Sequence, residues 1–105
     1  MTRILIIKLG ALGDVIMATS PVDRIVKHHV NDEVELLTVP AFANLFEGWA
    51  GLEIKALPRK GIRSFFNMLK WIRKQRFQRV YDLQSNDRSG LLCALSGIPE
   101  RVGNH

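Results

Sequence analysis

The chain of 105 residues reads as an α/β domain built on a doubly wound parallel sheet with right-handed crossovers. Two observations predict this. Segments of strand length and helical period alternate as β-α-β-α-β-α-β-α with short connections, and the opening strand is apolar at every position from Ile4 to Ile7. An unbroken apolar run marks a strand covered on both faces, as in a parallel sheet.

Arg3–Lys8 is that strand, stopping at a glycine-bearing loop, Leu9-Gly-Ala-Leu-Gly-Asp14. Val15, Ala18, Thr19, Val22, Ile25, Val26 and His29 then recur on one helical stripe. Ser20-Pro21-Val22-Asp23 reads as an N-cap, a proline at the first helical position and an acid at the third. A break near Ser20 and a second helical segment ending around His29 are therefore expected. Glu33–Val39 is the second strand, ended by Pro40, and Ala41–Gly48 is a short helix or turn. Glu53–Leu57 is a brief third strand before Pro58. Gly61–Gln75 is a helix with Ile62, Phe65, Phe66, Leu69 and Ile72 as its inward stripe, and Arg63, Asn67, Lys70 and Lys74 on another side. Val80–Leu83 is the fourth strand. Asn86–Ser96 is a helix with Leu91, Leu92 and Leu95 inward and Gly97 closing it, and Glu100–Gly103 begins a further strand. The pattern stops at His105 just as that strand starts, which suggests a piece of a longer protein.

Composition narrows the function classes. Hydrophobic residues make up 47% of the chain and charged residues 24%, a mix that buries a core and argues against wholesale disorder. No uncharged apolar run approaches the roughly 18 residues of a membrane span. Ile4–Ile7, between Arg3 and Lys8, is too short for a secretory core. The single Cys93 has no internal disulfide partner, and one thiol with three His forms no metal-ligand cluster; a reducing cytoplasm fits this composition.

The net charge of +5 is unevenly placed. Between Ile54 and Arg79 stand nine basic residues and no acidic one, whereas the remainder holds six basic and ten acidic residues. Such a block suits an anionic partner (phosphorylated substrate, nucleic acid or lipid headgroup) or is a solvated helix face with counter-charges elsewhere.

In a doubly wound sheet, ligands gather beyond the carboxyl ends of the strands. Lys8 closes the first strand there, and Gly10, Ala11 and Gly13 permit close backbone approach at a helix N-terminus. Asp14 opens the helix, either as a cap or as a general base on a substrate hydroxyl. The spacing is neither the dinucleotide fingerprint nor a P-loop. Gln84-Ser-Asn-Asp-Arg88 follows the fourth strand on the same edge, with amide, hydroxyl and guanidinium groups suited to sugar or phosphate, or simply serves as a βα loop with a capping Asn86 or Asp87. Trp49 and Trp71 read as partly buried packing, His28-His29 as a helix C-terminus and Cys93 as an inert core thiol.

Ile4-Leu-Ile-Ile-Lys8-Leu-Gly-Ala-Leu-Gly13-Asp14-Val-Ile-Met-Ala-Thr-Ser-Pro21 resembles the first strand, the Lys-x-x-x-x-Gly-Asp loop and the proline-bearing first helix of glycosyltransferase family 9, the ADP-heptose:lipopolysaccharide heptosyltransferases. Tyr81-Asp-Leu-Gln84 and Arg88-Ser89 are similar to the family's Asp-x-Gln loop and the Lys/Arg-Ser that follows, and Arg101-Val-Gly103 to its Arg-x-Gly strand. Ser85 departs from it, standing where members often carry glycine. The resemblance spans essentially the whole chain. It implies a GT-B enzyme of two Rossmann-like domains, with residues 1–105 an incomplete N-terminal acceptor-binding domain and the C-terminal donor-binding domain absent. It further implies inverting transfer of heptose from ADP-heptose to the anionic, lipid-linked inner core of lipopolysaccharide, with the ADP-sugar as co-substrate and no other cofactor or catalytic metal. Asp14 would be the base and Lys8 would offer positive charge near the acceptor or departing diphosphate. Arg59, Lys60 and Arg63 would hold acceptor anions, with Gly10, Ala11, Gly13, Gln84 and Arg88 completing the substrate loops. The setting would be cytoplasmic, compatible with peripheral contact at the inner membrane, and the fragment alone would be inactive.

Two other readings compete. The basic block also fits a polyanion-binding or nucleic-acid-binding module, although no recognisable reader motif accompanies it and nucleic acid is not the expected partner. A nucleotide-dependent oxidoreductase on the same fold class lacks its fingerprint.

Overall fold

The computed structural model describes residues 2–10, 19–84 and 87–103. Within them, strands β1 (Arg3–Ile7), β2 (Glu33–Thr38), β3 (Leu52–Ala56), β4 (Arg79–Asp82) and β5 (Glu100–Gly103) form one sheet in the order β3-β2-β1-β4-β5. Every pairing is parallel; Ile4 lies opposite Val34 on β2 and Arg79 on β4. The chain winds outward from β1 to β3, crosses over, and winds outward again through β4 and β5. This is the expected Rossmann-like α/β sheet, and its direction reverses between β1 and β4.

Helices α1 (Thr19–His28), α2 (Gly61–Gln75) and α3 (Asp87–Ser96), with a 3-10 segment at Pro40–Phe46, join the strands. β1 is buried from both sides because its side chains alternate between two cores. Leu5 and Ile7 meet Leu37, Val80, Phe65, Met68, Ile72 and Leu92 on the α2–α3 side. Ile4 and Ile6 meet Val34, Leu36, Val22, Ile25 and Phe46 on the α1 side. Burying each large aliphatic side chain contributes about 1.5–3 kcal/mol, so the continuous apolar run that looks excessive for one face is what two faces need.

Trp49 stacks on Phe46 and Trp71 packs on Phe77, each part-buried as expected. Burial raises the Cys93 thiol to about 12, with the Asp82 carboxylate adding to it, which makes it the inert core group foreseen. Gly97 closes α3 at φ +77°, and α2 ends on Arg76 in the left-handed region (φ 56°). His29, just beyond α1, is buried with Nδ1 2.8 Å from an Asp32 carboxylate oxygen and Nε2 2.8 Å from the Tyr81 hydroxyl, tying α1 to β4. No helix among the described residues is long and apolar enough to cross a membrane.

Three local expectations are corrected. Ser20, foreseen as a cap, is itself helical, as is Pro21; the segment before Thr19, where the break was expected, lies outside the described residues. On α2 the inward residues are Phe65, Met68 and Ile72, while Ile62 and Phe66 face solvent. On α3 only Leu92 of the three leucines points inward, with Ser89, Cys93 and Ser96, and Leu91 and Leu95 are exposed. Each helix touches the sheet along a narrower stripe than its apolar residues span.

Candidate functional site

The carboxyl ends of β1 and β4 lie side by side, and hydrogen bonds stitch the loops that leave them. Gln84 Oε1 accepts from the backbone N–H of Leu9 at 3.0 Å and of Gly10 at 3.2 Å. Its position is set from below by Asp82, a core residue only 4% exposed. Asp82 Oδ1 accepts from the Gln84 backbone N–H at 3.1 Å, and Oδ2 accepts from the Ser89 hydroxyl at 3.0 Å. One buried carboxylate therefore fixes both the turn after β4 and the first turn of α3. The Asp-x-Gln and Arg-Ser spacings then follow from geometry: the side chain two residues after Asp82 reaches back to β1, and the one seven residues after it anchors the helix. Asp82 and Ser89 stand in the sequence pattern without a role of their own there; the signal is an acid on the buried side of a strand, beside Val80.

Lys8 is 5% exposed, and its ammonium donates to the Leu83 carbonyl at 3.3 Å. That contact joins β1 to β4 a second time and places the charge beneath the surface, next to the cleft rather than lining it. A buried ammonium needs such a polar partner. Gly10 is buried under Arg59, whose guanidinium occupies the space that a β-carbon would fill.

Above these loops lies a pocket of about 350 Å³ lined by Leu9, Arg59, Lys60, Gly61, Gln84 and Arg88. Among the described residues that line it, three carry positive charge and none carries negative charge. Arg88 donates from Nη2 to the Gly61 carbonyl at 2.8 Å, and its guanidinium stands 5.6 Å from the centre of the Phe65 ring. Its Nε is buried with no hydrogen-bond partner among the described residues. The pocket thus has the size of a small-ligand site and an electrostatic bias toward anions, with two guanidinium forks suited to phosphate or carboxylate.

Of the sequence-derived candidates, Arg59, Lys60, Gln84 and Arg88 converge on this pocket, and Gly10 forms part of its support under Arg59. Arg63 is exposed on α2 and is not among the lining residues. Ala11, Gly13 and Asp14 lie outside the described residues. Leu9 and Gly61, which sequence reasoning did not single out, line the pocket by virtue of the loop geometry.

Fold and site together define an α/β unit with a cationic cleft at the point where the sheet reverses direction. Its structural neighbours are family 9 glycosyltransferases. It superposes on the glycosyl transferase family 9 protein of Veillonella parvula with a TM-score of 0.82 at 19% identity, over 98% of this chain and 32% of that one. On the ADP-heptose lipopolysaccharide heptosyltransferase II of E. coli the TM-score is 0.79 at 21% identity, over 97% and 30%. For E. coli heptosyltransferase WaaC with ADP the values are 0.65 and 18%, over 97% and 35%. The chain therefore shares their fold and spans about a third of their length. No protein-family model matches the chain, and no curated protein matches it in sequence.

Proposed function

We propose that residues 1–105 form the acceptor-side part of an inverting glycosyltransferase that moves heptose from ADP-heptose to the lipopolysaccharide inner core. The observation that carries this reading is the pocket of Arg59, Lys60 and Arg88 above the Gln84-clamped β1 loop. A phosphorylated, carboxylated inner-core sugar presents anions of the kind that this pocket attracts. Solved structures sharing the fold include one with ADP and one with an ADP-fluoroheptose, which supports a nucleotide-sugar donor. In this reading Asp14 takes the proton of the acceptor hydroxyl, the freed oxygen attacks the sugar's anomeric carbon, and ADP departs with the bonding electron pair. General-base help of this kind contributes about 10²–10⁴-fold. Lys8, Gly10, Ala11 and Gly13 shape the loop beside it, and Arg63 serves at longer range from α2. The ADP-sugar is a co-substrate, and the reading includes no further cofactor or catalytic metal. Donor binding belongs to a second domain outside this chain, so residues 1–105 alone carry out no transfer, and the work is done at the cytoplasmic face of the inner membrane.

The test is calorimetric titration of deacylated, phosphorylated inner-core oligosaccharide into the 105-residue chain. Saturable binding, weakened by about tenfold or more in Arg59→Ala and in Arg88→Ala, is expected from the loss of a charged hydrogen bond. Absence of binding, or binding indifferent to both substitutions, overturns the acceptor assignment. In a protein that also carries the donor half, Asp14→Ala should abolish most turnover while leaving ADP-sugar binding intact; near-normal turnover removes the base from the scheme.

A further inference from the structure

A second polar cluster lies at the amino-terminal edge of the sheet, away from the cationic pocket. Its centre is His29, only 8% exposed just beyond α1. From the turn that leads into β2, Asp32 Oδ2 stands 2.8 Å from Nδ1. From β4, the Tyr81 hydroxyl stands 2.8 Å from Nε2, and the same hydroxyl accepts from Arg79 Nη1 at 3.1 Å. Arg79 Nε in turn donates to Glu100 on β5 at 2.7 Å. The exposed His28 ring lies edge-on to that of His29, with 4.8 Å between the ring centres.

Hydrogen-bond chemistry gives this cluster one direction. A guanidinium only donates, so the Tyr81 oxygen is the acceptor toward Arg79. The phenol's own proton then points at His29 Nε2, which must be bare to receive it. A carboxylate only accepts, so Nδ1 carries the imidazole's proton and donates it to Asp32. Both Asp32 oxygens receive such bonds; the one from His29, ahead of the one from the Thr2 N–H, holds the carboxyl below its usual range. From Arg79 through Tyr81 and His29 to Asp32, every donor meets an acceptor when His29 is neutral. A proton added at Nε2 would aim a second cationic donor at the Tyr81 oxygen. Among the described residues, the phenol proton would then have no acceptor. The Asp32 contact, by contrast, gains from the new charge.

We propose that this cluster is a proton-operated tie: neutral His29 holds α1 to β4 through Tyr81, and uptake of one proton at Nε2 breaks that link while keeping the link to Asp32. His28, His29, Asp32, Arg79 and Glu100 line a cavity of about 340 Å³ at this edge, whereas Tyr81 does not line it. Solvent on that side is the source and sink of the proton. Histidine is the side-chain type that changes charge between pH 5 and 8, and the cluster contains two. Release frees the carboxyl end of α1 from β4 but leaves it joined to the turn before β2. The tie involves no residue of the cationic pocket, so it stands or falls apart from the glycosyltransferase reading.

The experiment compares urea denaturation of the 105-residue chain and of Tyr81→Phe at pH 8 and at pH 5. The substitution removes the phenol's hydrogen bonds and little volume. At pH 8 it should lower the folding equilibrium constant by about three- to tenfold, the worth of one hydrogen bond, and at pH 5 by less than about twofold. A loss of equal size at both pH values overturns the proposal, as does a larger loss at pH 5 or none at pH 8. In a His29→Gln background the effect of Tyr81→Phe should no longer depend on pH. A dependence that survives there assigns the proton to another group, such as His28, and equally overturns the tie. Nitrogen-15 NMR of the parent chain reads the imidazole without any variant having to fold. At pH 8 it should show His29 protonated at Nδ1 and bare at Nε2; the opposite tautomer, or protons on both nitrogens, overturns the relay.

Discussion

Arg59 rests directly on Gly10: a β-carbon built on that glycine would overlap the arginine's Nη1 and stand 2.6 Å from its Cζ. The two residues come from different βα loops, after β1 and after β3, and the missing side chain of one is the seat of the other's charge. Gly10 has no positive φ, so close approach, not backbone freedom, is what the position demands.

Gly10→Ala therefore displaces Arg59 while leaving the backbone unstrained. The guanidinium is the free end of a flexible chain, so the stability change should be about 0.5 kcal/mol or less. Binding of the inner-core oligosaccharide should weaken about as much as in Arg59→Ala, and the double variant should be no worse than either single one. Additive losses in a double-mutant cycle would separate the two residues.

Gln84 allows fold and binding to be told apart. Gln84→Leu leaves the Leu9 and Gly10 amides without their acceptor and should cost about 1–3 kcal/mol in urea denaturation. Gln84→Glu keeps an oxygen at that place and should hold most of the stability. It also puts a negative charge among Arg59, Lys60 and Arg88, so oligosaccharide binding should fall in titration calorimetry. A glutamate variant that binds as well as the parent would show that the pocket's charge does not matter.

Glu35 gives a pH-dependent prediction. It sits on β2 in register with Glu53 on β3, and desolvation by burial, followed by the Glu53 charge, raises its carboxyl above the usual 4.5 despite the Arg3 guanidinium 3.3 Å away. A carboxyl raised in the native state favours the protonated form, so its presence costs no stability below pH 4.5. The penalty grows as pH rises through the native value. Glu35→Gln, which keeps an acceptor for Arg3, should gain about 0.2–1 kcal/mol at pH 7, the size of a like-charge cross-strand pair. The gain should fade in melts taken toward pH 4. A loss at pH 7 would mean that the Arg3 ion pair outweighs burial and the Glu53 repulsion.

The sequence by itself determined the sheet, because a two-sided apolar strand, a glycine-bearing loop and alternating periods each leave a mark within a short stretch of chain. It also pointed to four of the six described residues that line the pocket: Gln84 and Arg88 through their loop at the carboxyl edge of the sheet, Arg59 and Lys60 through the basic block and the family resemblance. Only the tertiary structure decided which apolar residues are core. Ile62 and Phe66 share the period of Phe65 and Ile72, and periodicity records spacing but not how wide a stripe the sheet covers. The same holds for Gly10, whose role lies in contacts with Arg59 and with Gln84, the latter 74 residues away, which no local pattern encodes.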